Sequence, residues 1–243
     1  MFRFFLPREN ISDHITMTGP DASHMINSLR LRVSDKIIIC DGAGADYTAE
    51  ITGISKAEAQ LALISKGENT AEPGIDLTLF AALSKSDKME QVIAKAVELG
   101  AVRIVPFISA RCVAKYDIKT GEKKVSRWGK IAMEAAKQCG RGIVPEVSGI
   151  LDFKSAVAAA KDFDTRLFFY ENAARHTLRD VLSEKSFKTV CVFTGPEGGF
   201  EETEAEEAKK ADIRHVSLGP RILRCETAPA AAISAVMFYT NNF

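Results

Sequence analysis

The chain has no uninterrupted apolar run of about 18 residues, the length a helix needs to cross a bilayer. Its richest stretch, 228–239, is broken by Pro229 and Ser234. The start, Met1-Phe2-Arg3-Phe4-Phe5-Leu6-Pro7, breaks too early for the apolar region of a secretory leader. The expectation is a soluble cytoplasmic protein with no membrane partner. No Cys-x-x-Cys pair occurs, and the five cysteines (Cys40, Cys112, Cys139, Cys191, Cys225) are scattered. Only four histidines are present, none closely spaced. A disulfide framework and a zinc site are therefore not expected, and the cysteines read as small buried hydrophobes.

Net charge is also lacking, with 32 basic residues against 32 acidic. The balance is not uniform along the chain. Residues 1–72 carry seven Lys/Arg against ten Asp/Glu, residues 103–145 ten against three, and residues 146–243 twelve against fifteen. A strongly basic central block thus lies between two mildly acidic ends, which keeps an anionic partner in view. The 243 residues, 46% apolar and 26% charged, suit an ordinary globular protein of one large domain or two modest ones.

Residues 1–72 read as short strands at 36–40, 47–53 and 59–65, with turns at 41–44 and 55–58 and one helix at 20–29. That pattern predicts a small β-barrel. The segment 67–74, polar with Pro73 and Gly74, reads as a linker. From residue 73 the pattern becomes strand–helix alternation. Strands are expected at 77–83, 103–107, 166–170, 189–194 and 213–218. A helix after Ser86-Asp87 is expected to carry a capping box with Glu90, and to end at Gly100. A second helix is expected to start near Ser126, with Trp128, Ile131, Ala132, Ala135, Ala136 and Cys139 as its apolar stripe. The last helix spans about 229–238. The expected class is α/β, a parallel sheet covered on both faces.

Ligands of such sheets bind beyond the carboxyl ends of the strands, and three segments sit there. Thr194-Gly195-Pro196-Glu197-Gly198-Gly199-Phe200 is a tight glycine-rich turn. No Gly-Lys-Ser/Thr follows, so it is not a P-loop. The acidic residues after it (Glu201, Glu202, Glu204, Glu206, Glu207) favour a cationic or neutral ligand over a phosphate. Leu218-Gly219-Pro220-Arg221-Ile222-Leu223-Arg224-Cys225-Glu226-Thr227-Ala228 is a long loop of mixed character. Ile222 and Leu223 suit a flat apolar group such as adenine, and Glu226 or Thr227 can cap the last helix. Arg111, Lys115 and Arg141, in the basic block, are candidates for phosphate contacts.

The glycine-rich turn followed by Leu218-Gly219-x-Arg221-Ile222-Leu223-Arg224-x-Glu226-Thr227-Ala228 closely resembles the bacterial 16S ribosomal RNA uracil-N3 methyltransferase family. That family belongs to the knotted (SPOUT-type) RNA methyltransferases. Further resemblance lies in Lys88-Met89-Glu90, Lys95-x-x-Glu98-Leu99-Gly100, Arg111-Cys112, Glu134-x-x-x-Gln138-Cys139-Gly140-Arg141, Val144-Pro145-Glu146, His24 and Leu29-Arg30.

The resemblance implies a PUA-like RNA-binding β-barrel at 1–72 and an α/β methyltransferase domain with a deep trefoil knot at 73–243. It implies S-adenosylmethionine as cofactor, held by Thr194, Gly195, Pro196, Glu197, Gly198, Gly199, Leu218, Gly219, Ile222, Leu223, Arg224, Thr227 and Ala228. It also implies a homodimer that acts on 16S ribosomal RNA in the small subunit. Uracil N3 carries a proton and sits on the pairing edge, so the base must be extruded before attack. Arg221 or Arg141 is expected to stabilise the uracil anion, with Glu226 or Glu197 contributing locally. Arg3, Arg8, Arg30 and Arg32 of the barrel are expected to join Arg111, Lys115 and Arg141 on RNA. A knotted ribose 2′-O-methyltransferase and a non-enzymatic RNA-binding assembly factor remain as alternatives.

Overall fold

The computed structural model describes residues 1–114, 116–171, 177–184 and 186–243. The chain forms two compact units, one of residues 1–72 with 136–144 and one of residues 73–135 with 145–243.

The first unit holds a five-stranded sheet. Its strands are β1 (Arg3–Phe5), β2 (His14–Met17), β3 (Lys36–Cys40), β4 (Ala45–Ile54) and β5 (Ala59–Glu68), in the order β1-β3-β4-β5-β2. All ladders are antiparallel except β1 on β3. The period-two alternation sends Ile37, Ile39, Tyr47, Ala49, Ile51 and Leu61 to one face, where they meet Phe4, Ile15, Met17 and Met25. Register shifts at Thr48/Ala49 and Ile51/Gly53 bend the β4–β5 ladder.

Two features differ from expectation in this unit. Strands β1 and β2 are too short to show as periodicity. The helix expected at 20–29 is one α-turn, α1 (Gly19–Ser23), that widens into a π-helical turn at His24–Ser28. Arg30 and Ser34 follow in the left-handed region, with φ of 53° and 74°.

The segment read as a linker is fastened instead. Asn69 Nδ2 donates to Asp46 Oδ2 and to the Gly140 carbonyl, both at 2.9 Å. Glu72 Oε1 accepts the Gly142 and Ile143 N–H groups at 2.9 and 3.0 Å. Glu72 Oε2 takes the Arg141 guanidinium, with Nη2 at 2.7 Å and Nε at 3.2 Å. These bonds explain why 136–144 belongs with the first 72 residues.

The second unit is a seven-stranded parallel sheet. It runs β6 (Asp76–Ala82), α2 (Ser86–Glu98), β7 (Arg103–Ile108), α3 (Ile118–Cys139), β8 (Glu146–Val147), β9 (Leu151–Asp152) and α4 (Phe153–Ala159). Then come β10 (Thr165–Phe169), α5 (Leu178–Ser183), β11 (Thr189–Thr194), α6 (Glu202–Lys210), β12 (Arg214–Val216) and α7 (Thr227–Tyr239). The strand order is β12-β10-β11-β6-β7-β8, with β9 also on β7. Strands β6 and β11, buried along nearly their whole length, sit in the middle, as continuous apolar runs should.

Helix α3 starts at Ile118, well before Ser126; its first turns are mostly polar and exposed, so no apolar stripe marks them in the sequence. The expected capping box of α2 is absent. Its N-cap is Lys85, without a side-chain cap, and Glu90 instead pairs with Arg127 at 2.8 Å. Phe168 and Phe200, with centroids 4.2 Å apart, and Phe80 stacked on Phe193 at 4.4 Å form an aromatic floor under the strand ends. Among the described residues, no helix is long and apolar enough to cross a membrane.

Candidate functional site

A cavity of about 360 Å³ opens at the carboxyl ends of β10, β11 and β12. Its walls are 169–171 after β10, 195–200 after β11, and 217–223 with Cys225 and Ala228 after β12. Both expected loops therefore meet in one place. Gly195, Pro196, Glu197, Gly198, Gly199, Leu218, Gly219, Arg221, Ile222, Leu223 and Ala228 all line it. Thr194, Arg224 and Thr227 are not among its lining residues. Thr194 is buried at the end of its strand, and Arg224 and Thr227 face solvent.

The glycines have separable reasons. Gly199 lies at φ +67°, and a Cβ there would meet Glu171 Oε1 at 2.8 Å. A Cβ on Gly195 would come within 3.2 Å of the Phe200 ring, so that glycine serves packing on the aromatic floor. Gly219, at φ +100°, has open space around its missing Cβ. The turn closes through Gly199 N–H on the Pro196 carbonyl at 3.0 Å.

The charge around the cavity is organised by one ammonium. Lys88 Nζ stands 3.7 Å from Glu197 Oε1 and 3.8 Å from Glu226 Oε2. Burial pushes the Glu197 carboxyl up. Hydrogen bonds from its own N–H and from Lys85 N–H, with the Lys88 charge, more than reverse this and hold it below the usual carboxylate range. The Glu226 carboxyl is lowered too, chiefly by its own backbone N–H, then by the Cys225 thiol and by the Lys88 charge. Burial pushes the Cys225 thiol up to about 12, so it donates to Glu226 Oε2 as a neutral S–H at 3.2 Å. Both carboxylates are therefore ionised at neutral pH. Glu226 stands at the start of α7 without a side-chain cap bond.

A second clamp lies behind the glycine turn. Glu204 is buried, and its Oε2 accepts from Ser109 Oγ and Glu201 N–H, both at 3.0 Å. Its Oε1 accepts from Ala110 N–H at 2.9 Å. The loop after β7 is thus fixed against the start of α6. Arg111 leaves that loop and donates Nη1 to the Gly198 carbonyl at 3.0 Å. Arg111, expected on RNA, therefore also braces the glycine turn.

The other expected RNA residues scatter. Arg8, Arg30 and Arg32 are exposed on the first unit. Arg3 does not present its guanidinium to a partner, because it grips Asp46 at 2.7 and 2.9 Å. Arg141, expected on the uracil anion and on RNA, is 2% exposed, belongs to the first unit and is bound there to Glu72. Lys115 lies outside the described residues.

Sequence reasoning missed Phe169, Tyr170, Glu171 and Ser217 as lining residues. The rule that strand carboxyl ends carry ligands, applied to β10 as well, points to 169–171, while Ser217 falls inside the strand expected at 213–218. Lys88 belongs to the family-like segment Lys88-Met89-Glu90, a pattern that by itself assigns it no role.

A model of the RNA methyltransferase domain matches residues 71–237, and one of the RNA methyltransferase PUA domain matches residues 17–64. The ribosomal RNA small subunit methyltransferase E of Bacillus subtilis is 36% identical over 99% of this chain and 97% of its own length. The solved structure of the same-named enzyme from Neisseria gonorrhoeae, bound to S-adenosyl methionine, superposes with a TM-score of 0.88 at 34% identity, covering 98% of each chain. A methyltransferase structure from Legionella pneumophila with bound cofactor gives 0.89 at 29% identity, covering 98% of this chain and 97% of that one. With the two domain matches spanning both halves, this chain belongs to the RNA methyltransferase family that carries a PUA domain.

Proposed function

We propose that this chain is a knotted, S-adenosylmethionine-dependent methyltransferase that modifies N3 of a uridine in the decoding region of 16S ribosomal RNA. The observation that carries the reading is the meeting of the 195–200 and 217–228 loops around one cavity at the strand ends. The residues there fit the cofactor. A volume of about 360 Å³ is within the range of small-ligand sites. Exposed backbone at the glycines can hold polar groups closely. Glu171 and Glu197 suit a cationic sulfonium, and Ile222 and Leu223 suit an adenine face.

When bound, S-adenosylmethionine supplies an activated methyl group, which leaves the protein the tasks of placement and charge. Arg221, exposed at the cavity rim, is the lining cation among the described residues and is suited to the O2 and O4 charge of a deprotonating uracil. Glu226 is engaged by Lys88 and Cys225, so its part is to hold the loop rather than to take the N3 proton. Arg8, Arg30 and Arg32 of the PUA unit, with Arg111, contact the RNA backbone.

The knot enters from the family resemblance, and the path of the chain supports it. Strand β12 lies at the sheet edge beyond β10, yet α7 packs on β6, β11 and α2. The 217–226 loop must therefore cross over the strand ends to reach α7.

A homodimer is supported by α7 itself, which has no charged residue. A helix apolar all round belongs in an interior, yet Phe238 is 77% exposed, and Ile222 in the adjoining loop is 93% exposed. Sedimentation equilibrium is expected to give twice the 26.5 kDa chain mass, falling to the single-chain mass for Phe238→Glu.

The test of the activity is nucleoside mass spectrometry. Small ribosomal subunits lacking the modification, incubated with the protein and S-adenosylmethionine, should gain N3-methyluridine. A ribose-methylated product, or none, would overturn the reading.

A further inference from the structure

Lys88 occupies a place that local energetics disfavour. It is the third residue of α2, in a helix start whose unpaired N–H groups already carry partial positive charge. The preceding N-cap, Lys85, supplies no side-chain acceptor. A cation in such a position needs compensation, and here it comes from two carboxylates on different loops, Glu197 at 3.7 Å and Glu226 at 3.8 Å. Glu197 also accepts the Lys85 N–H at 3.2 Å, serving the helix start as an acceptor from outside. The loops after β6, β11 and β12 therefore converge on one ammonium. Without it, two carboxylates that now share one cation would keep the Lys85 N–H on Glu197 and the neutral Cys225 thiol and Arg224 charge beside Glu226.

We propose that Lys88 is a positioning residue of the cofactor site: its ammonium ties the 195–200 loop to the 218–226 loop and holds the cavity in its binding shape. The inference rests on the reading of that cavity as an S-adenosylmethionine site. Lys88 is not among the lining residues, so it acts through the two glutamates. Its charge matters more than its stem, because the partners are two anions and each contact is an ion pair rather than a packed surface.

The experiment is calorimetric titration of S-adenosylmethionine into the full-length wild type, Lys88→Met and Lys88→Arg, with folding checked by circular dichroism. KM for the cofactor and kcat are measured on ribosomal subunits in parallel. Lys88→Met is expected to weaken cofactor binding about tenfold, as loss of two partly buried ion pairs should. The rise should appear in KM more than in kcat. Lys88→Arg is expected to restore affinity to within about threefold, since the charge is kept. Wild-type affinity in Lys88→Met, or equal impairment of both variants, would overturn the proposal. If Lys88→Met does not fold, Lys88→Gln is read on the same criteria. Failure of both neutral variants to fold would also overturn it, because Lys88 would then serve folding alone. A wild-type protein that shows no heat with S-adenosylmethionine would instead sink the cofactor assignment itself.

Discussion

Arg141→Ala is expected to lower the stability of the protein by about 3 kcal/mol, measured by urea unfolding, since breaking a buried ion pair strands the remaining charge. Arg141 is 2% exposed, while its partner Glu72 keeps 18% of its side-chain surface. Glu72 is more than a counter-ion, because its second oxygen holds the Gly142 and Ile143 N–H groups. Removing the guanidinium leaves that carboxylate partly buried with the two backbone N–H groups to hold it. Glu72→Ala should be destabilising as well, by releasing two backbone donors. The double variant should cost less than the sum, with a coupling of about 2 kcal/mol, because the two groups touch. Methyl transfer by Arg141→Ala, assayed well below its unfolding midpoint, should stay near wild type. A stable Arg141→Ala protein with abolished turnover would return this arginine to the reaction.

That node also marks a boundary of what the sequence can say. In the sequence, Arg141 is one arginine of a basic block, a residue type suited to phosphate. Its partner lies 69 positions away, in a segment that reads as a linker. No local pattern joins them, since the pairing exists only once the end of α3 is folded against the sheet of residues 1–72. The Glu90 pairing is similar. The expected capping box competes with Arg127, which α3 brings within 2.8 Å.

What local patterns did carry was the parallel sheet. Strands such as 77–83 and 189–194 are buried on both faces and read as near-continuous apolar runs broken only by threonines, a signal visible in one sequence. The site was legible for a related reason. A tight glycine-rich turn and a long connection of mixed character stand at two strand carboxyl ends, and the structure brings both to one cavity. The finer geometry was not legible. Which glycine answers to φ, which to a ring and which to a carboxylate depends on neighbours supplied by other strands. Lys88 stayed unread because a lysine near a helix start resembles surface charge until both glutamates arrive beside it.

The largest effect on cofactor binding is expected from Gly199→Val. Two costs add at this position. The residue sits at φ +67°, where a side chain brings about 1–2 kcal/mol of strain, and more when it is β-branched. A Cβ would also lie 2.8 Å from Glu171 Oε1 and 3.2 Å from Oε2. Glu171 can swing away, because only its carboxylate end is touched, but it then abandons its place on the cavity wall. Together the terms come to about 3 kcal/mol, hence about a hundredfold loss of S-adenosylmethionine affinity by calorimetry. Gly219→Ala separates the two costs. It has the same sign of φ, at +100°, with nothing within 4 Å of the added carbon. Strain alone should lower affinity about tenfold there. The ranking Gly199→Val, then Gly219→Ala, then wild type follows if both loops shape one site from opposite walls. Gly199→Val that binds like the wild type would mean that the 195–200 turn does not form the cofactor wall.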